Sequence, residues 1–368
     1  MGVLGGGQLG RMLALAGHPL GLRLRCLDPS NAPPAAAAAE IVTGAFDDPA
    51  ALMRFVSGVE LVTFEFENLP AESVRWLADH APVLPPLTAL SIGQDRLEEK
   101  TLFKKLGIAV PEFAPIDRRE DLEREAARIG LPAVLKTRRF GYDGKGQVVL
   151  RAVADLDPAW QRLGGGPLIL ERFVSFEREV SLLAVRSKRG EERFYPLVEN
   201  VHRDGILAVS RVRPSEDPDP REAEAREIGR RLLDALEYVG VLAVELFEVQ
   251  GRLLANEIAP RVHNSGHWTI EGAATSQFEN HLRAILGWPL GSTRVDHFVA
   301  MVNLIGGTPP PERVLALESA HLHLYGKEAA PGRKLGHVTL VAKDRSALER
   351  RIAELVQLSA NETPQAGG

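Results

Sequence analysis

The stretch VGVLAVELFEVQGRLLANEIAP, residues 239–260, decides how the chain is read. Apolar residues fill both arms and Gly251 sits between them, which predicts a β-hairpin. Its two interior glutamates, Glu245 and Glu257, stand equidistant from that glycine. With a loop of odd length centred on Gly251 they oppose each other on one face, Cβ atoms about 5 Å apart. A two-residue loop would put one of them on the wrong face. Carboxylates so placed repel each other unless a cation lies between them. Magnesium is the economical cation, because it takes one or two carboxylates together with phosphate oxygens and water. The alternative is an exposed charged hairpin, and the almost wholly apolar flanks count against it.

A magnesium–nucleotide site needs groups for the phosphates. No G-x-x-x-x-G-K-[ST] occurs and the protein-kinase set is absent, so ATP, if bound, is held another way. The candidate is Lys136, at the end of an apolar strand, followed by the loop Gly141, Tyr142, Asp143, Gly144, Lys145, Gly146 and Gln147. Such a loop can close its N–H groups over phosphates while the lysine neutralises α/β oxygens. A decorated hairpin turn is the competing reading. The run LILERFV, residues 168–174, is an apolar strand entering a linker, where backbone groups can meet an adenine edge. Glu179 can accept from ribose hydroxyls, or be a solvated strand-end glutamate.

Upstream, residues 1–90 alternate short apolar runs with helical stretches, the rhythm of parallel βα units in a doubly wound sheet. Pro82, Pro85 and Pro86 close it. Gly5, Gly7 and Gly10 form G-x-G-x-x-G after the first strand, with Asp28 at the end of the second. This is the outline of a dinucleotide fingerprint. A mononucleotide phosphate, for which Gln8 and Arg11 are suited, and a tight structural turn fit the same residues. A helical segment at 95–106, a smaller unit at 110–163, a Gly164-Gly165-Gly166 hinge and a mixed α+β remainder follow.

The chain has 368 residues, 45% hydrophobic and 25% charged, which is ordinary globular usage with length for two or three cores. A net charge of -5 argues against a protein that binds by neutralising nucleic-acid phosphates. No apolar run reaches the ~18 residues of a membrane helix, and no basic, cleavable leader precedes the first strand. A lone cysteine, Cys26 in an apolar run, reads as a buried structural thiol in a reducing compartment. A soluble cytoplasmic protein is therefore expected. The first strand begins almost at Met1, so a few residues are expected to precede it. His263 and His267 are four apart, but no cysteine or H-E-x-x-H accompanies them and Gly266 argues against a helix, so they are not read as a zinc pair.

The segment from Asn256, NEIAPRVHNSGHWTIEGAATSQFENHLRAILGWPLG, closely resembles the 5-(carboxyamino)imidazole ribonucleotide synthase family of purine biosynthesis, ATP-grasp ligases. The resemblance extends in order through GGGQLGRM at 5–12, FEFEN at 64–68, DRLEEK at 95–100, GYDGKGQ at 141–147 and YGKEAAPGRKLGH at 325–337. Val262 departs from the proline frequent in the family. The resemblance implies an ATP-grasp fold, α/β and α+β. Residues 1–94 would form a Rossmann-like pre-ATP-grasp domain that binds substrate, 95–166 a small lid, and 167–368 the large domain with a C-terminal subdomain. It implies ATP-dependent carboxylation of 5-aminoimidazole ribonucleotide with bicarbonate through carboxyphosphate, with Mg2+, in a homodimer. ATP would meet Arg96, Lys136, residues 141–147, Glu171, Arg172, Phe173, Val174, Glu179, Asn256 and Glu257, and Glu245 with Glu257 would carry the metal. Arg261, His263 and Asn264 would hold bicarbonate, with Tyr142 and Asp143 taking part in proton transfer or ordering. Gln8, Glu65, Asn68, Lys327, Arg333 and Lys334 would hold the ribonucleotide. A formate-activating glycinamide ribonucleotide transformylase of the same fold, and a nicotinamide oxidoreductase using Gly5, Gly7 and Gly10, are the alternatives.

Overall fold

The computed structural model describes residues 1–141 and 145–360. Four short strands, β1 (Gly2–Leu4), β2 (Arg25–Asp28), β3 (Glu40–Thr43) and β4 (Val62–Phe64), form a parallel sheet in the order β3-β2-β1-β4. Strands β1 and β4 are buried along their length, as a sheet covered on two faces requires. On one face Leu4, Leu27 and Phe64 pack with Phe55 and Leu77 of the helices Pro49–Val56 and Ala71–Ala78. On the other, Val3 and Cys26 share a core with Trp268, Phe278 and Leu282, far along the chain. Burial pushes the Cys26 thiol up to about 12, so it is an inert packing group.

A second unit is antiparallel, with β5 (Phe113–Ile116), β6 (Ala133–Thr137), β7 (Gln147–Leu150) and β8 (Leu168–Arg172) in the order β5-β8-β6-β7. β8 lies beyond residue 166, where the sequence reading ended the lid, yet it pairs with β5 and β6. The three glycines at 164–166 therefore form a connection inside the lid. The helices Arg119–Ile129 and Leu156–Leu163 close this unit over its own core, including Leu122, Leu135, Leu156 and Leu170.

The remaining strands build one nine-stranded antiparallel sheet. They are β9 (Arg178–Arg186), β10 (Glu192–Phe194), β11 (Val198–Arg203), β12 (Ile206–Val212), β13 (Gly240–Val249), β14 (Arg252–Ala259), β15 (Phe298–Ile305), β16 (Ala320–Leu324) and β17 (Lys334–Ala342). Their order is β14-β13-β9-β11-β12-β15-β17-β16, with β10 on β9. Leu232 and Leu233 of the helix Glu222–Ala235 pack on one face, and Phe278 and Leu282 of the helix Gln277–Leu286 on the other. No described helix is long and apolar enough to cross a membrane.

Candidate functional site

The hairpin turns through two residues, because Val249 pairs with Arg252 and only Gln250 and Gly251, at φ 49° and 71°, lie between. Positive φ at both central residues is the requirement of a type I′ turn, which Gly251 meets without a Cβ clash. Continued regularly, that turn would set Glu245 opposite Asn256 and send Glu257 to the other face. The register instead shifts after Leu246 pairs with Ala255, so Glu245 pairs with Glu257. Asn256 is the extra residue of a β-bulge. The carboxylates are opposed, but the expected odd loop is not the reason.

The Glu245 side chain is mostly buried and that of Glu257 is partly open to solvent. Burial and the neighbouring carboxylate raise the pKa of Glu245. Burial pushes Glu257 the same way, but the charge and hydrogen bond of Arg96, whose Nη1 lies 2.7 Å from Oε2, outweigh it and lower its pKa. Glu245 Oε1 faces His263 Nε2 at 3.3 Å. Two opposed carboxylates on one face, one of them mostly buried and short of compensating charge, fit a hard cation that takes the rest of its ligands from phosphate and water.

The phosphate side lies next to them. Lys136 Nζ on β6 and Lys100 Nζ reach the same Glu171 oxygen at 3.0 and 3.4 Å. Burial lowers the pKa of Lys136 against the pull of Glu171. Arg96 Nη2 also donates to the Gly141 carbonyl at 3.4 Å, and Gly146 O accepts from the Thr137 N–H at 2.8 Å, which ties both ends of the glycine loop to β6 and Arg96. Tyr142, Asp143 and Gly144 lie outside the described residues. Arg172 turns away to pair with Glu112 at 2.8 Å. Glu179 contacts His202, and a small cavity of about 10 Å3 lies between these two, Glu245, Phe247 and Asn256. A larger cavity, about 350 Å3, opens on the far face of the sheet, where Arg178, Arg211 and Arg213 pair with Asp219, Glu349 and Asp217.

On the other side of the carboxylate pair, Gln277 fixes His263 by accepting from its N–H at 3.0 Å and donating to its carbonyl at 2.6 Å. The Ser265 N–H points at His263 Nδ1 at 3.3 Å, so Nδ1 is the acceptor and the proton belongs on Nε2, toward Glu245. Burial holds the His263 pKa well down, which keeps the ring neutral. Asn264 is only 9% exposed, and neither end of its amide has a partner among the described residues. A buried amide of this kind calls for a ligand offering both acceptor and donor. The side-on fork of Arg261, Nε and Nη2, is taken by Glu67 at 2.6 and 3.1 Å. Arg261 thus makes its two-pronged grip on Glu67 and also donates from Nη1 to the Val262 carbonyl at 3.1 Å, which leaves one N–H each of Nη1 and Nη2 for an outside anion.

Glycines 5–10 hold an anion already. Glu65 Oε1 accepts from the Gly7 N–H and Oε2 from the Gly10 N–H at 2.6 Å. A Cβ at Gly5 or Gly7 would lie within 2.5 Å of the Glu65 side chain, so glycine is required by this carboxylate. A dinucleotide pyrophosphate would have to displace Glu65, which removes the nicotinamide alternative. Lys327 Nζ bonds Gln8 Oε1 at 2.8 Å above the Tyr325 ring, beside this loop. Asn68 is half-buried close by in sequence, whereas Arg333 is exposed and closes its own turn on the Glu328 carbonyl at 3.2 Å. The charge of Lys334 acts on Glu245, His202 and His263.

Sequence reading missed Glu67, Glu99, Lys100, His202 and Gln277. Spacing could have found Glu99 and Lys100, since Arg96, Glu99 and Lys100 share a helix face. A lone histidine on a strand and a lone glutamine on a helix carry no such signal.

Three family models match the chain. They are the ribonucleotide synthetase preATP-grasp domain over residues 1–94, the ATP-grasp domain over 101–278 and the phosphoribosylaminoimidazole carboxylase C-terminal domain over 299–351. The chain is 54% identical over 358 residues to N5-carboxyaminoimidazole ribonucleotide synthase of Pseudomonas aeruginosa, covering 97% of this chain and 99% of that one. It is similar to the crystal structure of N5-carboxyaminoimidazole ribonucleotide synthetase from Thermus thermophilus, with a TM-score of 0.93, 55% identity and 99% of each chain covered. It is also similar to the Aspergillus clavatus enzyme in complex with ADP and 5-aminoimidazole ribonucleotide, with a TM-score of 0.90, 32% identity and 98% of each chain covered.

Proposed function

The chain belongs to the N5-carboxyaminoimidazole ribonucleotide synthase family of ATP-grasp ligases, and from that premise we propose how its residues divide the work. The reaction is the ATP-dependent carboxylation of 5-aminoimidazole ribonucleotide in purine biosynthesis. The carboxyl source is bicarbonate. One bicarbonate oxygen attacks the γ-phosphorus of ATP, ADP leaves, and the product is carboxyphosphate. Its breakdown to carbon dioxide and phosphate sets the carbon beside the substrate amine, which forms the new C–N bond and loses a proton.

Glu245 and Glu257 hold Mg2+, which when bound neutralises charge on the phosphate oxygens. Lys136, Arg96 and the loop that starts at Gly141 take the nucleotide phosphates, with Glu171 aiming the lysine and working against the downward pull of burial on its pKa. Glu179, His202 and Asn256 line the nucleoside end. Asn264, neutral His263 and the remaining Nη1 and Nη2 N–H groups of Arg261 hold bicarbonate, whose hydroxyl and carboxylate oxygens match the unpaired Asn264 amide. Gln8, Asn68 and Lys327 hold the ribonucleotide; Glu65 acts behind them by fixing the loop that carries Gln8. Lid closure would shield carboxyphosphate from water. A cytoplasmic homodimer is the setting the family resemblance implies.

The observation that carries the reading is the opposed Glu245–Glu257 pair set directly against the His263–Asn264 loop. It supports phosphoryl transfer to an anion bound within reach of the metal. The test is ADP release with each substrate omitted in turn. Release is slow until both bicarbonate and the ribonucleotide are present; release indifferent to the ribonucleotide overturns the assignment.

A further inference from the structure

The helix Arg96–Lys105 lays three side chains, spaced i, i+3 and i+4, against consecutive residues of β14. Arg96 holds the Glu257 carboxylate at 2.7 Å. Lys100 Nζ donates to the Asn256 carbonyl at 2.7 Å and reaches the Ala255 carbonyl at 3.5 Å. Glu99 Oε1 accepts from the Ile258 N–H at 2.6 Å. Asn256 is the bulged residue, and a bulge takes its backbone groups out of the regular ladder. Those groups need partners when buried.

Lys100 is 0% exposed and Glu99 3%. A full charge at either place is costly to bury, and an apolar side chain would fill the space at less cost. Both polar heads are spent on the backbone either side of Glu257, Lys100 adding its contact to Glu171. Without them the shifted register is left to the Arg96–Glu257 bond and the Ala243–Ala259 and Val244–Ile258 pairs, against the register the two-residue turn prefers, with Glu245 facing Asn256.

We propose that Glu99 and Lys100 are positioning residues that clamp the Asn256 bulge and thereby keep Glu245 and Glu257 opposed as a metal-binding pair. The inference rests on the reading of those two glutamates as the magnesium carboxylates. Neither residue need touch the nucleotide.

The test is ADP affinity by calorimetry in Mg2+ and in EDTA, for Lys100→Met, Glu99→Ala and Glu99→Gln, with Glu257→Gln alongside. Lys100→Met and Glu99→Ala are expected to lose about tenfold or more of the Mg2+-dependent gain in affinity, the scale for groups that orient metal ligands. Binding in EDTA should hold. Glu99→Gln, which keeps an oxygen for the Ile258 N–H, should retain the gain. Equal weakening in both buffers would mean direct phosphate contact and overturn the clamp. If Glu257→Gln keeps the full gain, the metal reading fails; if Glu257→Gln loses it while Glu99→Ala keeps it, the clamp alone fails. Should Lys100→Met not fold, Glu99→Ala, which leaves the Lys100–Glu171 contact in place, decides the matter by itself.

Discussion

The glycine loop at residues 5–10 and the one that begins at Gly141 carry the same sequence signal, backbone free to approach an anion, and they differ in the charges set around them. In the first, the N–H groups of Gly7 and Gly10 are taken by Glu65, a carboxylate of the same chain. In the second, the loop is tethered beside Lys136 and Arg96, cations that face Glu171 and Glu257. Glycine spacing therefore reports that backbone must approach something closely. Whether the something is internal or arrives from solution is settled by the charges around the loop.

The sharpest way to test that contrast is to remove charge at the open site. Glu257→Gln is expected to lower kcat by about 10²–10³-fold or more, with the fold intact by circular dichroism. Near-normal ADP release from a folded variant would erase the distinction between the two loops. Emptying the closed site should do less to turnover and more to stability. Glu65→Ala leaves the buried Gly10 N–H and the part-buried Gly7 N–H unpaired and should cost about 1–3 kcal/mol in urea unfolding. It should also make the melting temperature rise with sulfate where the parent protein's does not, because the loop then has room for a foreign anion.

The smallest effect is one of pH. Burial raises the pKa of Glu171, but Lys100, Lys136 and Arg96 overcome it and bring it down to about 2. A carboxyl depressed in the native state adds stability that is fully present above its unfolded value, 4.5, and is lost as pH falls through about 2. The stability advantage of the parent over Glu171→Gln should shrink steadily between pH 4.5 and 2 in urea midpoints. A constant difference would mean that the lysines gain nothing from the ionised carboxylate.

Much of the fold was legible because its elements carry strong local patterns. The four short parallel strands and their helices stand where apolar runs and helical stretches alternate, and the Lys136 strand meets Gln147 across the glycine loop as read. Misreadings came from interactions that no local pattern encodes. Nothing in residues 164–166 says that β8 returns to the lid sheet, since that pairing is decided by β5 and β6 far upstream. The turn length was misjudged because a bulge has no spacing signature of its own. Glu67 escaped notice as the partner of Arg261 because it lies 194 residues earlier in the chain.

The Asn256 bulge also means that the hairpin stores its parity in two places. The two-residue turn is even and the bulge adds the odd count, so the carboxylates meet only because the two sum correctly. Deleting Asn256 would remove the bulge and leave a regular ladder in which Glu257 takes the place opposite Glu245, so the pair would stay opposed while Lys100 lost the Asn256 carbonyl it holds. The same facing of the carboxylates can thus be reached with the bulge or without its residue, a distinction that single substitutions would never reveal.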